Sequence, residues 1–369
     1  MDWNGMEHSG LSHAAAHTVM KVSLLFRYKE HKMRRMVLLL LVACLLPGMV
    51  VVSAQSEASE ARPVIVDSDM ASDDWMALAY LLSRSDIAIQ AITVTGTGFA
   101  TCEAGVEAAL RMVARVNYGE VPVSCWTDMP LMGENPVPES WRTTLETVEA
   151  LGLPEGGEPA EENAVELFTS TVQAATEPIT VLALGPLTNI AAALEATPSL
   201  VDNIAEIVVM GGAVDVDGSF VSEENTSAEW NIYADPHAAR LTFESGVPIT
   251  LVPLDATNET PVTPDFVTRL REAPQTAATE IVLAALANSQ DSIEAGGYYF
   301  WDPLAAVVLT NPELVTLETR DVTVIDVPGN EYGRTKPVGN GPEIRVATAP
   351  DAEAFEQLFI DTLSSAGMS

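Results

Sequence analysis

Basic residues are scarce in this chain. Its 369 residues include 18 Lys and Arg against 52 Asp and Glu, a formal charge of −34. Six of the basic residues (Lys21, Arg27, Lys29, Lys32, Arg34, Arg35) precede residue 36, and Lys336 is the only lysine past residue 54. Binding a phosphate backbone needs a basic surface, so nucleic acid is excluded as a partner. The acid excess reads as a solvated surface on a soluble body. Long unbroken apolar runs are missing too: the best candidate, Met36 to Val52, is interrupted by Pro47 and is short for a spanning helix. Cysteine is nearly absent, with Cys102 and Cys125 the only two past residue 54. Neither an internal repeat nor a low-complexity linker is found, and 47% hydrophobic content suffices for one large domain.

Residues 1–54 read as an extension and an address. Arg34 and Arg35 precede the apolar run, and Val52, Ser53, Ala54 form a small-residue cleavage pattern, which predicts a secretory signal cut after Ala54. Leu41, Val42, Ala43, Cys44 also fits a lipoprotein box, although an apolar tail follows the cysteine. Both readings place the protein outside the cytoplasm, periplasmic or extracellular, with membrane contact only through an N-terminal anchor. Residues 55–369 are expected to form a single domain. In an exported chain Cys102 and Cys125, both placed at one sheet edge, either pair or remain free thiols.

From residue 62 strands and helices alternate. Expected strands are Val64–Asp67, Ile87–Thr95, Val121–Cys125, Ile179–Leu184, Ile204–Met210 and Pro248–Leu254, with helical patterns such as Glu103–Val116, Asn163–Ala175 and Asp235–Glu244 between them. This alternation predicts an α/β fold: a mostly parallel, doubly wound open sheet with helices on both faces. Pro136–Pro159 and Pro253–Pro264 read as loops over a site.

The chemistry concentrates in Asp67, Ser68, Asp69, Met70, Ala71, Ser72, Asp73, Asp74, four carboxylates in eight residues. An apolar β-branched run precedes it and a helix-forming run from Trp75 follows, so the acids lie where a strand ends and a helix begins. In open α/β sheets that edge binds ligands. Helix capping accounts for one or two of the acids. Four crowded carboxylates repel one another unless protons or a cation intervene, and hard divalent cations take such oxygen ligands. An EF-hand loop fails because Ala71 and Leu78 fall at two of its ligand places. An aspartyl phosphoryl-transfer enzyme lacks its downstream elements.

Further polar turns follow other strands: Thr95-Gly96-Thr97-Gly98, Leu184-Gly185-Pro186-Leu187-Thr188-Asn189 and Gly211-Gly212-Ala213. Each is explained by turn formation alone, but together they surround one edge. If Ala228–Pro236 is extended, Glu229 and Asn231 point the same way, suited to neighbouring hydroxyls. Asp302 follows the aromatic run Tyr298–Trp301 and is either a helix N-cap or a ligand.

These stretches, in this order over residues 62 to 350, resemble the inosine-uridine-preferring nucleoside hydrolase family. The resemblance implies a Rossmann-like nucleoside hydrolase fold and Ca²⁺-dependent hydrolysis of the N-glycosidic bond of ribonucleosides, giving ribose and a free base. It implies that Asp69, Asp74, Asp302 and the Leu184 carbonyl ligate Ca²⁺, and that Asp69 is the general base. Asp73, Thr97, Asn225, Glu229 and Asn231 would bind the ribose. Trp301 stands where many members carry a proton-donating histidine, which resembles a purine-preferring branch that stacks the base between tryptophans; Trp141 is the candidate partner. Departures are Met70 and Ala71, where proline and glycine are usual, and Thr97, where asparagine is. A homodimer or homotetramer is implied as well. The alternatives are a pyrimidine or other N-ribosyl hydrolase of the same family, and an exported ribosyl-binding protein without turnover.

Overall fold

The apolar run Val64–Val66 forms the core of β1 (Arg62–Ser68), which lies inside a nine-stranded sheet. The computed structural model describes residues 61–367. The expected signal and anchor fall on residues 1–54, outside the described residues. The remaining strands are β2 (Ile87–Val94), β3 (Val123–Cys125), β4 (Ile179–Ala183), β5 (Ile204–Met210), β6 (Ile249–Val252), β7 (Thr316–Val324), β8 (Thr335–Pro337) and β9 (Glu343–Thr348). Their spatial order is β3-β2-β1-β4-β5-β6-β9-β7-β8. The first six strands and β9 pair in parallel; β7 runs antiparallel to both β9 and β8.

Helices important here are α1 (Ser72–Leu82), α2 (Cys102–Val116), α3 (Ala164–Ala174), α4 (Thr188–Ala196), α5 (Trp230–Ala234), α6 (Pro236–Phe243), α7 (Ala277–Ala287), α8 (Trp301–Thr310) and α9 (Ala352–Ser365). Side chains alternate across a strand, so β1 sends Val64 and Val66 into one core and Ile65 into the other. The first core contains α1, α2, α7, α8 and α9; the second contains α3, α4 and α6. The sheet is thus covered on both faces, as an α/β fold demands.

Strand order sets the position of the site. From β1 the chain builds outward through β2 to β3, then returns to the other side of β1 with β4. The turns leaving β1 and β4 therefore diverge, opening a crevice at the carboxyl ends of these two neighbours. The acid cluster leaves β1 there, and Leu184–Thr188 leaves β4 there.

Cys102, at the start of α2, and Cys125, at the end of β3, form a disulfide with Cα atoms 5.4 Å apart. That decides the pairing the sequence left open. β7, β8 and β9 were not anticipated, because Glu318, Arg320 and Asp321 interrupt an alternation in which only Val322 and Val324 are fully buried on β7.

Candidate active site

The turn out of β1 is unusual. Met70 has φ of 56°, left-handed backbone that a non-glycine residue enters at a cost of about 1–2 kcal/mol. Its side chain is fully buried in the first core, and its N–H donates to Ser68 Oγ at 3.0 Å. Proline, with φ locked near −65° and no N–H, cannot take this place.

Asp74, in the first turn of α1, accepts from the Ala71 N–H at 3.0 Å and from the Ser68 hydroxyl. It is therefore partly a cap. Asp69 Oδ2 accepts from the Phe99 N–H at 3.0 Å. Two glycines enclose Asp69 closely: a Cβ on Gly98 would lie 1.9 Å from its Oδ2, and one on Gly185 would lie 2.8 Å from its Cβ. Turn chemistry alone does not require glycine at both; contact with Asp69 does.

Asp302 does not act as an N-cap. It is the second residue of α8, whose cap Phe300 makes no side-chain bond, and it is buried with Oδ1 lacking any hydrogen-bond partner. Carboxylate oxygens of Asp73, Asp74 and Asp302 lie within 4.8 Å of one another. Asp69 sits against Asp74. Loss of solvent, then repulsion between neighbours, raises all four carboxyls: Asp73 to about 7, Asp74 to about 6, and Asp69 and Asp302 well above the ordinary range.

The four acids open into a cavity of about 770 Å³, also lined by Leu184, Glu229, Asn231, Trp141 and Trp301. Its lining has five acids and no Lys, Arg or His. Such a donor set, with one orphaned carboxylate oxygen, fits a hard divalent cation.

Glu229 and Asn231 reach the cavity by another route than expected. The segment is not extended: Trp230–Ala234 is the short helix α5, with Glu229 as its N-cap. In a helix each residue turns the side chain by about 100°, about 200° over the two residues from Glu229 to Asn231, so the period-two argument does not apply. Glu229 accepts from the N–H groups of Asn231 (2.9 Å), Gly212 (2.9 Å) and Ile232 (3.2 Å), and burial raises its pKa. Asn231 Nδ2 donates to Leu184 O at 2.9 Å and Met210 O at 3.2 Å, steadying the carbonyl at the end of β4.

Two candidates do not line the cavity. Thr97 is buried, accepts from the Thr188 hydroxyl at 3.1 Å and donates to Met129 O at 3.2 Å. Asn225 donates to Tyr332 O at 2.8 Å and accepts from Ser227. Both fasten loops together. Four aromatic residues of the lining were passed over: Phe99, Trp230, Tyr298 and Tyr299. Trp230 sits between two residues singled out from the sequence, and only the helical turn of α5 shows that it also faces the cavity. Trp141 approaches Phe99 (centroids 6.5 Å, planes 11° apart) and Trp230 (5.4 Å), while Trp301 packs on Tyr298 (5.2 Å) and Tyr299 (5.7 Å).

A mostly parallel sheet with crowded carboxylates and aromatic walls at its switch point defines an α/β enzyme that handles a small polar ligand. The family model described as inosine-uridine preferring nucleoside hydrolase matches residues 64–357. The chain belongs to this family, whose members hydrolyse N-glycosyl bonds of ribonucleosides. It is 31% identical over 315 residues to the pyrimidine-specific ribonucleoside hydrolase RihA of Escherichia coli O139:H28 (strain E24377A / ETEC), covering 82% of this chain and 98% of that protein. Its fold matches the purine-preferring ribonucleoside hydrolase from Gardnerella vaginalis (TM-score 0.70, 26% identity, 84% and 100% covered). The inosine-uridine preferring nucleoside hydrolase from Bacillus anthracis shares the fold at a TM-score of 0.73 with 22% identity, covering 82% and 99%.

Proposed function

We propose that the protein is an exported, Ca²⁺-dependent hydrolase that prefers purine ribonucleosides. The observation that carries this reading is the orphaned Asp302 carboxylate oxygen, buried among the acids directly beside Trp301. Asp69, Asp74, Asp302 and the Leu184 carbonyl would hold the cation, with Asp73 near enough to share it or to hold a ribose hydroxyl. When bound, Ca²⁺ supplies Lewis-acid polarisation and a template for water and sugar hydroxyls. Asp69, fixed by the Phe99 amide and two glycines, accepts a proton from the attacking water. Water oxygen joins C1′ as the bond to the base nitrogen breaks, and the base leaves with the bonding pair and takes a proton from solvent, to which Asp69 later returns the one it accepted. Positive charge developing on the sugar ring is stabilised by surrounding carboxylates such as Glu229. Trp301 and Trp141 offer flat faces to a two-ring base, and stacking there assists its departure. The reading also includes a homodimer or homotetramer.

A second reading, pyrimidine nucleosides as the preferred substrates, draws on the pyrimidine-specific relatives. Ribose release from inosine, guanosine, adenosine, uridine and cytidine, with Ca²⁺ and with a chelator, separates the two. Chelator-sensitive release chiefly from purines is expected, with loss of about 10³-fold or more in Asp69→Ala. Release from uridine and cytidine alone sinks the purine assignment. Ca²⁺ binding without cleavage of any nucleoside makes it a binding protein.

A further inference from the structure

A single guanidinium joins the strap that carries Trp141 to the loop that grips Asp69. Trp141 ends a short 3₁₀ turn (Glu139–Trp141), and the next residue, Arg142, turns inward with a side chain only 8% exposed. Its Nη2 donates to the Gly96 carbonyl, to the Ala100 carbonyl at 2.7 Å and to Asp128 Oδ1 at 3.0 Å. Those carbonyls bracket the loop leaving β2. From this loop the Phe99 N–H reaches Asp69 Oδ2 at 3.0 Å, and the Ala100 N–H reaches the Asp69 carbonyl at 2.9 Å. Thr143, after Arg142, donates its N–H to the Phe99 carbonyl at 2.6 Å and forms a bridge with Ala100. Asp128 completes the clamp by accepting the Cys102 N–H at 2.8 Å at the start of α2.

We infer that Arg142 is a positioning residue for hydrolysis, setting the Phe99 amide against Asp69 and the Trp141 ring against the base through one shared clamp. This rests on the proposed nucleoside hydrolysis. Arg142 touches no reacting atom. Its work is geometric: one nitrogen of a permanently charged group, Nη2, lies within bonding distance of three acceptors, with the Nε of the same guanidinium buried beside it without a partner. Loss of the clamp frees the loop on one side of Asp69 and the tryptophan on the other, and a small displacement of an aligned group costs rate steeply.

The test compares wild type, Arg142→Ala and Arg142→Lys in three measurements. Hydrogen exchange is followed at the Phe99 and Ala100 amides; protection should fall by about tenfold or more in Arg142→Ala, with that of β5 unchanged. Turnover is followed on inosine and on 4-nitrophenyl riboside, whose leaving group needs no stacking. In Arg142→Ala, kcat should fall by about tenfold or more on both substrates, whereas KM should rise on inosine only. Free guanidinium added to Arg142→Ala should restore part of kcat, and Arg142→Lys, whose ammonium also offers several N–H donors from one nitrogen, should keep part of it. A merely structural role lowers the melting temperature without that rescue. Unchanged exchange at Phe99 and Ala100, or wild-type kcat in Arg142→Ala, overturns the inference while leaving the hydrolase reading intact. A wild type that cleaves neither substrate instead overturns the hydrolase reading, and with it the positioning role.

Discussion

Met70 shows how much one residue can reveal about a site. A left-handed methionine persists only where surrounding structure over-determines it, here by full burial of the side chain and by its N–H bond to Ser68. Replacing Met70 with the family's usual proline is therefore expected to destabilise the fold by about 3 kcal/mol or more, through a forbidden φ, a lost donor and a lost buried side chain. Thermal unfolding of Met70→Pro measures this. A melting temperature equal to that of wild type would show that the turn has a second, proline-compatible conformation. At this scale the sequence was legible where chemistry is sparse: Asp69, Asp73, Asp74, Asp302, Glu229, Asn231, Trp141 and Trp301 all line one cavity. Thr97 and Asn225 were not, because a polar residue near a site looks the same in sequence whether its hydrogen bonds go to ligand or to a neighbouring loop.

Elements decide how those residues meet. β1 and β4 bring their turns together because they are neighbours in space but not in sequence. The α2–β3 corner is tied by the disulfide across 23 residues, and it anchors the loop that holds Phe99. Closing a loop of that length removes unfolded-state entropy of about 3 kcal/mol in the chain-entropy account. For a domain of this size that corresponds to a fall in melting temperature of about 5 °C on replacing both cysteines with serine. Calorimetry of the Cys102→Ser, Cys125→Ser protein under non-reducing conditions checks it; no change would mean that the corner is held by the Arg142–Asp128 clamp alone. The short helix α5 was missed, since five residues give too little periodicity to outweigh an apparent alternation.

For the whole molecule, the acid cluster links stability, pH and cation. Without a cation, Asp67 and Asp73 titrate at about 7 and Asp74 at about 6 in the folded chain, above their unfolded values because burial disfavours the charged form. The folded state thus binds more protons than the unfolded state between roughly pH 4 and pH 7. This contribution is fully present below about pH 4 and is lost as pH rises through 6 to 7, at up to about 1.4 kcal/mol per unit and group. A bound cation favours the ionised form and offsets the loss. The rise in melting temperature produced by Ca²⁺ over a chelator should therefore be small near about pH 5 and large near about pH 7.5. An equal rise at both pH values would place the cation away from these carboxylates.

The sequence by itself determined the layered α/β class, the edge of the sheet that carries the chemistry and most of the acids, because alternation, strand burial and carboxylate crowding are local properties of the chain. Only the tertiary structure decided the rest. It set the switch point between β1 and β4, the antiparallel β7 to β9 and the Cys102–Cys125 pairing. It also turned Glu229 into a helix cap, withdrew Thr97 and Asn225 from the cavity, and tied Arg142 to the loop whose Phe99 amide meets Asp69. Apart from the Glu229 cap, which is local but lies on a helix too short to show a period, these depend on contacts between residues far apart in the chain, whose energies come from packing and shared hydrogen bonds that no local pattern records.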